Sequence, residues 1–169
     1  MRSVLKTGLL AVLASGAWAT TLEQLSMASM IQQSTAIVRA RVTSSSAARR
    51  GSDIYTYYRL DVLETLKGSP APSEVAVPGG TVNGVRQTVS GAPKLEIGQE
   101  YVLFLWTSRS GLTQVIGLTQ GVFSVNKNGT VVRAAATEPM LGPGGQPVKD
   151  QIVTLTLEAL RQMIRGGAK

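Results

Sequence analysis

This chain reads as a mainly β domain, an antiparallel barrel with one helix at each end, and three features predict it. The stretch "LEIGQEYVLFLW" (Leu95–Trp106) is the densest apolar run outside the N-terminus, short alternating segments broken by Gly, Pro and Asn surround it, and the clearest helical spacing lies at the C-terminus. From Tyr101 to Trp106 both alternating sets of side chains are apolar, which is how a strand covered on both faces reads. It is therefore placed at the centre, with the barrel interior on one side and the helices on the other. So short a run does not span a membrane, which takes roughly 20 apolar residues.

The elements follow in chain order. "MRSVLKTGLLAVLASGAWA" joins Arg2 and Lys6 to a short apolar run and ends in Ala17-Trp18-Ala19, the pattern of a secretory signal peptide cut after Ala19. Export to the periplasm or the medium is expected, with residues 1–19 removed and 20–169 forming one domain. No cysteine follows the run, so no lipid joins an N-terminal Cys. In "TTLEQLSMASMIQQS", Thr20 with Glu23 and Thr21 with Gln24 both fit a capping box, so the first helix is expected to start there. "TAIVRARV" alternates Ala36, Val38, Ala40 and Val42 with Ile37, Arg39 and Arg41, a strand with one buried face. "SSSAARRGSD" is expected to be a polar loop. "IYTYYRLDVLETL" is a long strand with Tyr58, Leu60 and Val62 inward and Tyr57, Arg59 and Asp61 outward, ended by Gly68, Pro70 and Pro72.

"EVAVP" is a short strand, and "GGTVNGVRQTVSGAPK" is loop-rich with a brief strand near Val85–Val89. Beyond the central strand, "TQVIGL" and "GVFSV" are short strands, and Asn128-Gly129 marks the hairpin turn before "TVVRA". "EPMLGPGGQP" carries no packing signal. In the last segment Asp150 is the expected cap. Val153, Leu157, Leu160 and Ile164 form an apolar stripe opposite Thr154, Glu158, Arg161 and Arg165, and Gly166-Gly167 is the expected stop.

Composition removes several chemistries. With no Cys and no His, disulfides, Cys/His zinc sites and a Ser-His-Asp triad are impossible. Ser124-Val-Asn-Lys127 matches S-x-x-K, but it falls in a hairpin and lacks the companion elements of serine–lysine enzymes. Asp61 and Glu64, three apart on one strand, are expected on opposite faces and solvated, unlike a glycosidase pair. The glycines of "PGGTVNG" and "GPGGQP" lack a following Lys-Ser/Thr and mark turns. Asn128-Gly-Thr130 fits a glycosylation acceptor, though the turn accounts for the same residues. No catalytic residue, metal or cofactor is expected.

The chain carries 17 basic and 10 acidic residues; loss of Arg2 and Lys6 leaves 15 against 10, a net charge of +5. Such a balance suits an anionic partner or simply solubility. Arg39, Arg41, Arg49 and Arg50 with Tyr55 and Tyr57 are the candidate polyanion-binding residues, able in principle to clamp and stack a single-stranded nucleic acid on a barrel surface. Export disfavours that partner.

"STAIVRARVTS", "YTYYRLDVLETLKG" and "GQEYVLFLW", taken in this order, resemble netrin-like modules, which include the tissue inhibitors of metalloproteinases. The match covers roughly Ser34–Trp106. The "VLKG…GG…GAP…GQ" pattern (Val62–Gly68, Gly79-Gly80, Gly91-Ala92-Pro93, Gly98-Gln99) is similar to that of uncharacterised exported bacterial proteins. The resemblance implies an OB-like, five-stranded or slightly larger barrel with N- and C-terminal helices packed side by side outside. Protease inhibition would follow by analogy, but the inhibitors place an N-terminal Cys on the protease zinc, and here the mature chain starts at Thr20. The expected function is non-catalytic binding of a protein or an envelope polymer, with polyanion binding and protease inhibition as alternatives.

Overall fold

A strand that is apolar on both sides needs two covering layers, and the chain supplies both. The computed structural model describes residues 21–167. In chain order they form β1 (Leu22–Glu23), helix α1 (Met27–Gln33), β2 (Ala36–Arg50), β3 (Asp53–Lys67), β4 (Glu74–Pro78), β5 (Gly80–Val82), β6 (Val85–Gln87), β7 (Glu100–Thr107), β8 (Thr113–Val115), β9 (Val122–Val125), β10 (Thr130–Arg133), β11 (Met140–Leu141), β12 (Pro147–Val148), β13 (Val153–Thr156) and helix α2 (Leu157–Gly167). The chain is mainly β, as its pattern predicts.

One antiparallel sheet runs in the order β13-β10-β9-β7-β2-β3-β4, with β8 added to β7. The central strand β7 pairs with β2 from Ala36↔Leu105 to Arg41↔Glu100 and with β9 from Tyr101↔Ser124 to Leu103↔Val122. The sheet curls until β4 lies beside β8, yet these two strands form no backbone ladder, so among the described residues the expected barrel is not closed. Inside the curl, Tyr101, Leu103 and Leu105 pack with Ala36, Val38, Val42, Leu60, Val75 and Val77. Outside it, Val102 and Phe104 pack with Ile37, Phe123 and Val131 under Met30 and Ile31 of α1 and Leu157, Leu160 and Ile164 of α2. The two helices touch each other. Period-2 alternation on β2 and β7 thus sorts side chains into two cores.

Several expectations are corrected. Helix α1 begins at Met27, capped by the Ser26 hydroxyl accepting the Ser29 N–H at 3.0 Å, and not at Thr20 or Thr21; Thr20 lies outside the described residues. Leu22–Glu23 instead pairs in parallel with Met140–Leu141, because the Leu22 and Gln24 N–H groups donate to Pro139 and Leu141 carbonyls. The "SSSAARRGSD" stretch is mostly strand: β2 continues to Arg50, paired rung by rung with β3, and only Gly51-Ser52 turns. The "EPMLGPGGQP" stretch holds the β11–β12 hairpin and buries Met140 at 2% exposure.

Asp150 does not cap α2. Val153–Thr156 is a strand on β10, and the Thr156 hydroxyl accepts the Ala159 N–H at 3.1 Å where the helix starts. The helix runs through Gly166-Gly167 to the edge of the described residues. Arg161, expected in water, is held by two hydrogen bonds to Glu64, at 2.9 and 2.7 Å. Asp61 and Glu64 share the outer face, because a bulge between Arg39 and Ala40 shifts the register and sets Glu64 opposite Arg39 while Asp61 stays opposite Arg41. The signal-peptide segment lies outside the described residues.

Candidate functional site

Helix α1 ends at Gln33, but β7 runs on past it, so the last outward side chain of the central strand is left uncovered. That residue is Trp106, which is 45% exposed and not doubly covered as expected. Together with Leu25, Gln33, Gln114, Val115, Ile116 and Gly117 it lines a groove of about 490 Å³. Trp106 and Gln114 stand directly opposite each other on β7 and β8, which sets the amide beside the indole.

The other wall is fixed by a buried amide. Gln120, 2% exposed, accepts the Leu25 N–H at 2.8 Å through Oε1 and donates to the Glu23 carbonyl at 2.9 Å through Nε2. This clamps the segment before α1 against the groove. Gly117 has φ +61°, and a Cβ there would come within 2.8 Å of Leu25 Cδ1, so glycine serves both the turn and the close wall. Leu118 follows with φ +56°, an uncommon conformation for a γ-branched residue, where the chain enters a 3₁₀ turn over Leu118–Gly121. No side chain lining the groove is ionisable, and the side-chain hydrogen bonds of the described residues do not use the Trp106 N–H or the Gln33 and Gln114 amides.

A second cleft of about 390 Å³ lies between Lys94, Glu96, Gln99, Tyr101, Ser124 and Asn126. Several of its polar groups are already hydrogen-bonded, while Thr119 Oγ1, which also lines it, is buried without a partner among the described residues. The Tyr101 hydroxyl accepts the Glu96 N–H at 2.9 Å, Gln99 donates to the Glu100 and Val125 carbonyls, and Asn126 donates to Thr130. Burial pushes the Tyr101 phenol above its ordinary range, so it stays protonated. Ser124 faces Tyr101 and Val132 in the sheet, while Lys127 lies in the following turn.

The six candidate basic and aromatic residues do not form one site: Arg50 and Tyr57 line a cleft of about 270 Å³ with Glu74, and Arg39 and Arg41 lie outside it. Arg39 and Arg41 enter an acid-rich network: Arg41 pairs with Glu100, Arg39 lies 3.6 Å from both Glu64 and Glu100, and Arg161 binds Glu64 and Glu158. The Arg161 hydrogen bonds and the charges of Arg161, Arg39 and Arg165 hold Glu64 below the usual carboxylate range, against burial, which acts the other way. Tyr57 lies four residues up the ribbon from Asp61, the rung of Arg41, a separation of about 13 Å at strand spacing. Tyr55 and Tyr57 lean on each other, ring centroids 6.3 Å apart and tilted by 51°. Arg49 lies opposite Ile54 near the hairpin end, and Arg50 donates to the Ser110 carbonyl and hydroxyl, at 3.0 and 3.2 Å.

Residues that the pattern left unmarked complete the picture: Trp106, Gln33 and Gln114 in the groove, and Arg109 in the turn beside Ser110. The one visible signal was an indole at the end of a strand, immediately before the polar run Thr107–Gly111. Among the described residues no Asp/Glu cluster has a metal-binding arrangement, and no helix is long and apolar enough to cross a membrane. Comparison with protein-family models, with curated proteins and with solved structures finds no match to this chain.

Proposed function

We propose that this protein is an exported, non-catalytic binding module on an OB-like barrel, and that it takes its partner in the Trp106 groove. The observation that carries this reading is a half-exposed indole with uncommitted amides beside it, on a wall held rigid by Gln120. Buried binding pockets combine apolar walls with a few orienting polar groups, and aromatic residues dominate binding energy at such places. The OB-like, netrin-like reading draws support from β2, β3, β4, β7 and β8 curling around one core with both helices outside. Glu64 and Glu100 on the outer face are tied to arginines.

The test is affinity capture from extracytoplasmic extract with the wild-type chain and with Trp106→Ala. Because Trp106 is exposed, its removal should leave the far-UV circular dichroism spectrum unchanged. A partner held by the wild type should be lost from the variant. Equal recovery on both would overturn the reading.

A further inference from the structure

We infer that the second cleft, apart from the Trp106 groove, binds a small neutral sugar through the hydroxyls of Tyr101, Thr119 and Ser124. All three residues line this cleft of about 390 Å³, within the range of roughly 300–1,000 Å³ that small ligands occupy. The sheet brings two of them together. Ser124 on β9 stands directly opposite Tyr101 on β7, on the face that turns inside the curl. Thr119 comes from the 3₁₀ turn that leads into β9.

Each hydroxyl keeps a bonding capacity that the fold leaves unused. Tyr101 is 5% exposed, and its oxygen accepts the Glu96 N–H, yet its own O–H has no acceptor among the described residues. Thr119 Oγ1 is buried with no partner among the described residues, which costs about 1–3 kcal/mol. The half-buried Ser124 hydroxyl makes no hydrogen bond to the described residues either. A ligand that supplies partners here recovers that cost on binding.

The rest of the lining decides the ligand class. Gln99 Nε2 donates to the Glu100 and Val125 carbonyls, which leaves the side-chain oxygen as an acceptor. Lys94 and Glu96, both exposed, line the cleft with opposite charge. An anion would meet the Glu96 carboxylate and a cation the Lys94 ammonium. An apolar ligand would leave the hydroxyls unmatched. A zwitterion would spend its charges on the exposed rim, where solvent makes them worth little. A neutral sugar answers the whole lining: its hydroxyls both donate and accept, and its C–H face packs on Pro93, Val122 and Ala134.

Saturation-transfer-difference NMR of the purified protein with glucose, galactose, N-acetylglucosamine and cellobiose tests this. At least one of the four should respond, and glucuronate and glucosamine should respond far less. Thr119→Val keeps the side-chain shape and removes the unpartnered hydroxyl. It should weaken sugar binding about tenfold, the scale of one buried hydrogen bond. Ser124→Ala should also weaken it, and Trp106→Ala should leave it unchanged. Silence from all four sugars would overturn the inference. So would equal binding by Thr119→Val, a response to glucuronate as strong as to the neutral sugars, or a loss confined to Trp106→Ala. Where Thr119→Val does not fold, Ser124→Ala decides, and undiminished binding by it then overturns the site.

Discussion

Removing the carboxylate of Asp150 is expected to destabilise this fold more than any other exchange of so few atoms. Asp150 and Arg133 form a bidentate pair with side chains 3% and 9% exposed, at 2.7 Å (Nη1–Oδ2) and 2.8 Å (Nη2–Oδ1). Oδ2 also accepts the Ala136 N–H at 2.8 Å, and Arg133 Nη2 donates to the Gln151 carbonyl at 3.0 Å. These bonds tie the excursion between β10 and β13, including the β11–β12 hairpin, back onto the sheet. Asp150→Leu leaves Arg133 charged and buried without its counterion, a loss of about 3–5 kcal/mol. A domain of this size has roughly 5–15 kcal/mol in all. Its melting temperature should fall by roughly 6–20 °C at about 2–4 °C per kcal/mol.

Arg133→Met with Asp150→Leu removes both charges. Its cost should be limited to about 1–3 kcal/mol for each backbone group left unpaired, on Ala136 and Gln151, against a gain from avoided desolvation. Urea unfolding of the wild type, both single variants and the double variant measures the coupling. Additive losses would refute the reasoning. The acid limb carries the same information. Burial alone would raise the Asp150 pKa, but the Arg133 hydrogen bonds, the Ala136 and Gln151 N–H groups and the Arg133 charge outweigh it and hold the group below its ordinary value. A depressed folded pKa stabilises above the unfolded value of about 3.9 and is lost as pH falls through the folded one. Wild-type stability should therefore drop below about pH 4, more steeply than that of Asp150→Leu.

Phe104→Ala removes a fully buried ring 5.5 Å from that of Phe123 and should cost about 3–5 kcal/mol, read as a lowered urea midpoint; an unchanged midpoint would remove β7 from the core. Gly121→Ala would place a methyl 2.5 Å from the Ile116 carbonyl and 2.8 Å from Val115 Cγ1, so a loss of about 1–3 kcal/mol is expected in the same assay. Leu157→Asp, which buries a charge at the start of α2, should lower the melting temperature strongly, while Arg165→Asp on the exposed side should hardly move it; equal melting points would contradict the packing of α2. Intact mass of protein recovered from envelope or medium should begin at Thr20, and a retained Met1 would refute cleavage after Ala19.

What was legible follows from where periodicity meets burial. Strand β7 was readable because both of its faces are buried and both are apolar, and Asn128-Gly129 was readable because Gly129 takes φ +80° in the turn. The far half of β2 was not. Ser44, Ser45 and Ser46 are exposed, so nothing alternates, and pairing with β3 alone makes them a strand. Nor could local sequence show that Leu22–Glu23 pairs with Met140–Leu141, more than a hundred residues away. The α2 stripe was misread at one end because Val153 continues the helical spacing yet packs against the same outer core from a strand.

The site was harder to read for a related reason. Exposure of Trp106 depends on where the covering helix stops, and that is a tertiary fact about Gln33, not a property of the strand pattern. The arginines mislead in the same way. Arg39 and Arg41 look like a basic face because they alternate on one strand, but Glu64 arrives through a bulge in β3, Glu100 through β7, and Arg161 from α2 completes the neutralisation. A charge is available to a ligand only if the fold has not already paired it.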